Sequence, residues 1–143
     1  MLETLFGLSN LFVLPFWGLM IFAPGWRWTT NIMRSLLPFA ALGALYAILL
    51  ISQIGGAAGA LLSPSAAGIA ALLGTPAGAT VGWIHFLAFD LFVGRWAYLD
   101  SRERGLSAWL VSPILVFIFM AGPLGLLMYL TARWIAGRRT SNA

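Results

Sequence analysis

The chain has no cysteine, which removes disulfides, iron–sulfur clusters, thiolate zinc sites and thioether-linked haem. It has no lysine either, so a retinal Schiff base, and with it a rhodopsin, is excluded. A single histidine cannot supply bis-histidine haem ligation or an ordinary transition-metal site, and no metal is expected. Charge is scarce as well. Only 8% of the 143 residues are charged, against about 25% in ordinary soluble domains.

What fills the space is apolar: 61% of the chain. Four apolar stretches approach or exceed the roughly 20 residues needed to cross a hydrocarbon core. No linker or charge block divides them, so one transmembrane helical domain over 1–143 is expected. The fold class is an all-α integral membrane protein, a bundle of about four transmembrane helices.

The net charge of +4 does not indicate nucleic acid. Every basic residue is an arginine: Arg27, Arg34, Arg95, Arg102, Arg104, Arg133, Arg138 and Arg139. Most stand just outside apolar stretches, where anionic headgroups and insertion rules account for them. A nucleic-acid surface needs a solvated basic face, and no segment is long enough to form one.

The first span is expected over about 5–23, ending at Pro24-Gly25. It lacks the basic n-region of a cleaved signal peptide, and Asn10, Pro15 and Trp17 interrupt its apolar run. Nothing upstream resembles a plastid transit sequence, which points to a bacterial chain in the inner (cytoplasmic) membrane or to a mature form. A second span covers about 36–53, with Pro38 tolerated in its first turn. Residues 54–78 are rich in Gly and Ala with Pro64 in the middle, and read as a connector, re-entrant or a short interfacial helix, with a fifth span as the alternative. Gly55 and Gly59, then Gly74, Gly78 and Gly82, recur at four-residue spacing, which permits close helix approach or arises by chance in a Gly-rich stretch. The third span covers about 79–99, and the polar turn Asp100-Ser-Arg-Glu-Arg-Gly105 after it reads as a solvated loop. The fourth covers about 108–131, with kinks expected at Pro113 and at Gly122-Pro123.

One of only four acidic residues, Asp90, falls near the middle of the third span, with His85 before it and Arg95 after it. A carboxylate near the bilayer midplane costs roughly 2.5–3.5 kcal/mol on insertion scales. At about 100° per residue these groups do not share a face, since Asp90 lies roughly 140° from His85 and Arg95 lies on a third side. Such a helix should be central and should find its partners on its neighbours, from Asn10, Tyr46, Gln53, Ser112 or Tyr129. Two readings of Asp90 stand side by side: a buried interhelical clamp, or a titratable group in a dry cavity able to donate a proton. His85 is a hydrogen-bonded core residue or an acid–base partner. Arg95 reads as structural, satisfied by a neighbour or by the interface.

Seven Trp, ten Phe and three Tyr are present. Among them Trp17, Trp83, Phe89, Phe92 and Trp96 could line a slot for a long flat polyene, or serve equally as interface belts and core packing.

The run Gly82-Trp-x-His-x-Leu-Ala-Phe-Asp-Leu-Phe-Val-Gly-Arg-Trp96 resembles the abscisic-acid-deficient-four family of small multi-span membrane proteins. Two further blocks are similar to that family: Asn10-x-x-Val-Leu-Pro-Phe-Trp-x-Leu-Met20 with Pro24 and Thr29 behind it, and Gly122-Pro-Leu-Gly-Leu-Leu-Met-Tyr129. The resemblance implies a carotenoid isomerase of the neoxanthin synthase kind, which turns an epoxy-xanthophyll into an allenic one. On that reading Asp90 and His85 are the acid and the base. Arg95, Asn10 or Tyr129 would orient a substrate oxygen. No cofactor is implied, because the isomerisation is internally balanced.

Three functions follow as expectations. The first is a membrane-embedded carotenoid- or isoprenoid-modifying enzyme. The second is a non-enzymatic carotenoid-binding or pigment-complex assembly subunit, for which homo-oligomers or pigment–protein complexes and surrounding membrane lipids are the partners. The third is a small proton-linked transporter, disfavoured because no internal repeat or pair of broken helices is visible.

Overall fold

Proline and glycine divide this apolar chain into six α-helices in the computed structural model, which describes residues 1–141 apart from the side chains at 54, 56, 57, 60, 61 and 139–141. No strand occurs among the described residues. The helices are α1 (Leu2–Phe22), α2 (Arg27–Arg34), α3 (Leu37–Leu62), α4 (Ala66–Leu73), α5 (Pro76–Glu103) and α6 (Ala108–Ser141). Three of them, α1, α5 and α6, are long and apolar enough to cross a membrane. Arg27–Arg34 and Leu37–Gln53 pass the same test as one bent pair, giving a fourth. Most of each span's surface is not covered by protein: Phe22, Trp109 and Met120 are 85%, 92% and 72% exposed. Apolar surface on that scale needs an apolar solvent, and this is a membrane protein.

The helix boundaries follow local chemistry. Pro24 disfavours helical geometry at Ala23, so α1 stops there and a short turn leads into α2. Ser35 is extended (φ −68°, ψ 140°) and ends α2 one turn before Pro38 enters the first turn of α3. The helix of the second span runs past Gln53: α3 continues through Gly55 and Gly59 to Leu62. Each glycine costs about 1 kcal/mol relative to alanine, yet in lipid a backbone that left the helix would lose all its hydrogen bonds. The connector therefore shrinks to residues 63–75 and contains the short helix α4. Ser65 caps α4, its Oγ accepting from Gly68 N at 3.1 Å. Thr75 does the same for α5, accepting from Gly78 N at 3.0 Å, with Pro76 at the first helical position.

In α6 the expected kink falls at Ala121, whose backbone leaves the helical region (φ −151°, ψ 65°) immediately before Gly122-Pro123. At Pro113 the dihedrals stay helical, although a proline there removes one intrahelical bond.

The chain divides into two compact units, Met1–Phe12 with Leu37–Ala88 and Val13–Leu36 with Phe89–Ala143. In the first, Leu42, Leu49, Ile84 and Leu87 are buried, with Ser9 and Thr80. In the second, Val13, Trp17 and Met20 from α1, Met33 from α2, Leu91 and Tyr98 from α5, and Leu115 and Ile118 from α6 form the core.

Candidate functional site

Asp90 is half-buried on α5 and lies against the backbone of α6 at its break. A methyl group added at Gly122 would collide with the Asp90 carboxyl, whose Cγ would be 2.9 Å away. The break matters chemically. Ala121 has left the helix and Pro123 has no N–H, so the regular ladder of backbone bonds is interrupted beside a carboxyl group. Polar backbone inside a span is tolerated where another group meets it. The structure sets Asp90 beside a stretch of irregular backbone, which it reaches because position 122 carries no side chain.

His85 belongs to the first unit, and Asp90 to the second. The His85 ring packs against Tyr46 (centroids 5.6 Å apart, tilted) and edge-on to Phe86 (6.2 Å). It lines a cavity of about 150 Å³ together with Tyr46 and Gln53 of α3 and apolar side chains that include Leu72 and Leu73 of α4. Two of the regularly spaced glycines bring α4 and α5 together here. A Cβ at Gly78 would run into the Leu72 carbonyl oxygen, and one at Gly82 would stand 2.9 Å from Leu73 Cδ2. At Gly55 and Gly59, by contrast, it would meet nothing within 4 Å. The four-residue spacing has steric meaning in α5, and among the described residues none of that kind in α3.

Arg95 is a cap. Its Nε donates to the carbonyl of Met33 and its Nη2 to that of Arg34 at 3.4 Å, so the guanidinium sits at the C-terminal end of α2, where carbonyls and the helix dipole favour a cation. Tyr98, one turn on, donates to Pro24 O at 2.9 Å and lies 3.0 Å from the Thr30 hydroxyl. Thr29 closes the same turn by donating to Ala23 O at 2.8 Å. The second half of α5 therefore holds the C-terminal end of α2, its Thr30 and the turn before it. Asn10 is committed too: its amide donates to Phe6 O at 2.7 Å and its carbonyl accepts from Trp83 Nε1 at 3.0 Å.

The five aromatic residues expected to line a slot divide by surroundings. Trp17 is buried, slotted into the space left by Gly94 and tilted against Phe119 at 5.2 Å. Trp96 meets Tyr129 edge-to-face at 5.4 Å, with the Arg133 guanidinium 5.6 Å from its ring. Trp83 stacks near Phe6 at 5.7 Å. Phe89 and Phe92 stay exposed, at 60% and 46%, with Arg95 6.0 Å over Phe92.

Sequence reasoning took Asp100 for part of a solvated loop, and the structure corrects this. Helix α5 runs on to Glu103, and Asp100 Oδ2 accepts from the buried Tyr129 hydroxyl at 2.6 Å and from Arg104 Nε at 2.9 Å, and pairs with Arg133 Nε at 3.1 Å. The side chain is only 14% exposed. The helix ends one turn later, at Gly105 (φ +65°), where Leu106 N bonds back to Ser101 O at 2.9 Å. Tyr129 carried the available signal: a buried phenol in an apolar helix needs a hydrogen-bond partner.

The family model described as ABA DEFICIENT 4-like matches residues 4–129, a range that contains Asn10, Pro24, Thr29, Asp90, Gly122 and Tyr129. The chain is 34% identical over 108 residues to the Arabidopsis thaliana protein ABA DEFICIENT 4, chloroplastic. That alignment covers 71% of this chain and 49% of the relative, so the chain spans about half the length of the curated relative it matches. No solved structure matches it. A family match over most of the chain, together with that identity, is decisive: the protein belongs to the ABA DEFICIENT 4-like family.

Proposed function

We propose that this chain is a membrane-embedded carotenoid- or isoprenoid-modifying protein, and that it isomerises an epoxy-xanthophyll by proton transfer at Asp90. The observation that carries this reading is the carboxyl group set within a span against the broken backbone of α6. Opening an epoxide needs a proton on its oxygen as the C–O bond breaks. Forming the allene then needs removal of a proton from the adjacent polyene carbon. The two positions are neighbours in the substrate. Five residues along a helix separate His85 from Asp90 by about 7.5 Å of rise and about 140° of rotation, too far for both to serve one such pair of atoms. A single carboxyl suffices: protonated Asp90 gives its proton to the oxygen, and the resulting carboxylate takes the proton released from carbon. Protons and electrons balance, so the reaction itself consumes no oxidant or reductant.

Expression in a host that accumulates epoxy-xanthophylls tests this. The wild-type chain should convert pigment, and Asp90→Asn should abolish conversion while accumulating as folded protein. An unchanged pigment profile across every epoxy-xanthophyll supplied overturns it. The exposed pair Phe89 and Phe92 favours a second reading, a carotenoid-binding subunit without catalysis. Pigment that co-purifies chemically unaltered would select it. The membrane we propose is the bacterial cytoplasmic one, and fractionation of the native host is the corresponding check.

A further inference from the structure

Where α5 ends beside the C-terminal third of α6, a cavity of about 390 Å³ is lined by Arg104, Leu130, Arg133, Trp134, Gly137 and Arg138. Among the described residues its lining holds three guanidinium groups and no carboxylate. Asp100, just behind, engages Arg104 and Arg133 through their Nε atoms, at 2.9 and 3.1 Å. Each guanidinium carries five N–H donors in a fixed fork, so contact through Nε leaves the Nη groups of both to face other acceptors. The anchoring also orients them: a shared carboxylate holds two long side chains that would otherwise be mobile. Arg138 is held separately, its guanidinium 3.8 Å from the centre of the Trp134 ring.

We propose that this cavity binds a phosphate group, as an anionic lipid headgroup or as free phosphate. Among the described residues, three cations against one carboxylate leave an excess of two positive charges around a space of ligand size. Forked donors match phosphate oxygens, which planar guanidinium groups bind in pairs. Leu130 and Trp134 supply an apolar edge on the same side, suited to the glycerol and first methylenes of a lipid. The site owes nothing to Asp90 and stands independently of the reaction proposed above.

The test uses the full chain in zwitterionic nanodiscs, with phosphatidylglycerol doped in for one arm and inorganic phosphate titrated in the other. Native mass spectrometry reads lipid adducts, and calorimetry reads phosphate. Arg138→Gln, which removes no contact to Asp100, should weaken binding about tenfold, the value of one lost charge-assisted contact, with Arg133→Gln acting in the same direction. Arg27→Gln removes the same charge from a residue over Trp28 on α2 and should change nothing. Loss of lipid adducts alone assigns a headgroup, and loss of phosphate binding alone assigns the free anion. The proposal fails if phosphatidylglycerol binds no better than phosphatidylcholine and phosphate does not bind, or if Arg27→Gln weakens binding as much as Arg138→Gln.

Discussion

The carboxyl group of Asp90 occupies the space that a side chain at position 122 would need. Gly122 is buried, follows the non-helical Ala121, and precedes a proline that has no N–H to offer. The acid and the break in α6 are thus one arrangement, and neither is readily changed without the other.

Gly122→Ala should therefore destabilise the protein. Inserting a methyl group into filled space costs about 1–3 kcal/mol, read as a lowered midpoint of thermal unfolding in detergent. Combined with Asp90→Ala, which vacates the space, the loss should fall short of the sum by about 0.5–3 kcal/mol, as expected for residues in contact. Additive effects would show that the two do not touch.

Gly94 and Trp17 are the same kind of pair without a charge. A Cβ at Gly94 would enter the six-membered ring of the buried Trp17 indole. Gly94→Ala should cost about 1–3 kcal/mol through overpacking. Trp17→Leu on that background should recover part of the loss, because it opens room where the methyl intrudes. If Gly94→Ala is neutral in an unfolding experiment, the close approach of α1 and α5 there is wrong.

Much of this was legible in the residues. The membrane class followed from composition, and the α6 break from Gly122-Pro123. Three things were not. The length of α3 was hidden because helix propensity measured in water penalises its glycines, whereas lipid penalises any alternative to the helix more. Gly122 beside Asp90 was not legible because a sequence does not say which stretch of backbone a carboxyl within a span will lie against. Asp100 was misplaced because charge density near a span end looks the same whether the charges face water or converge on a phenol 29 residues away.

Arg95 offers a local readout. It donates to the carbonyls of Met33 and Arg34, the last residues of α2. Arg95→Gln should loosen that helix end, giving faster amide exchange over residues 32–37 with little change elsewhere in α5. Arg95→Lys keeps the charge and its favourable position at the helix C-terminus, worth about 0.3–1 kcal/mol, but lacks the fork to reach two carbonyls. It should fall between. Equal exchange in all three proteins would remove the capping role.

Tyr129 and Arg104 both donate to Asp100 Oδ2, yet salt should separate them. The Tyr129 hydroxyl is neutral and the residue is buried, so its bond to a carboxylate should be worth about 1.5–3 kcal/mol and be nearly independent of ionic strength. The Arg104 side chain is 39% exposed and four residues along the same helix, a pairing worth about 0.3–0.5 kcal/mol in dilute buffer. At 1 M salt the screening length falls to about 3 Å, and that contribution should vanish. Tyr129→Phe should therefore lower the unfolding midpoint equally at low and high salt, whereas Arg104→Gln should lower it slightly at low salt and not at all at 1 M. A Tyr129→Phe variant as stable as wild type in both buffers would mean that the phenol does not stabilise Asp100.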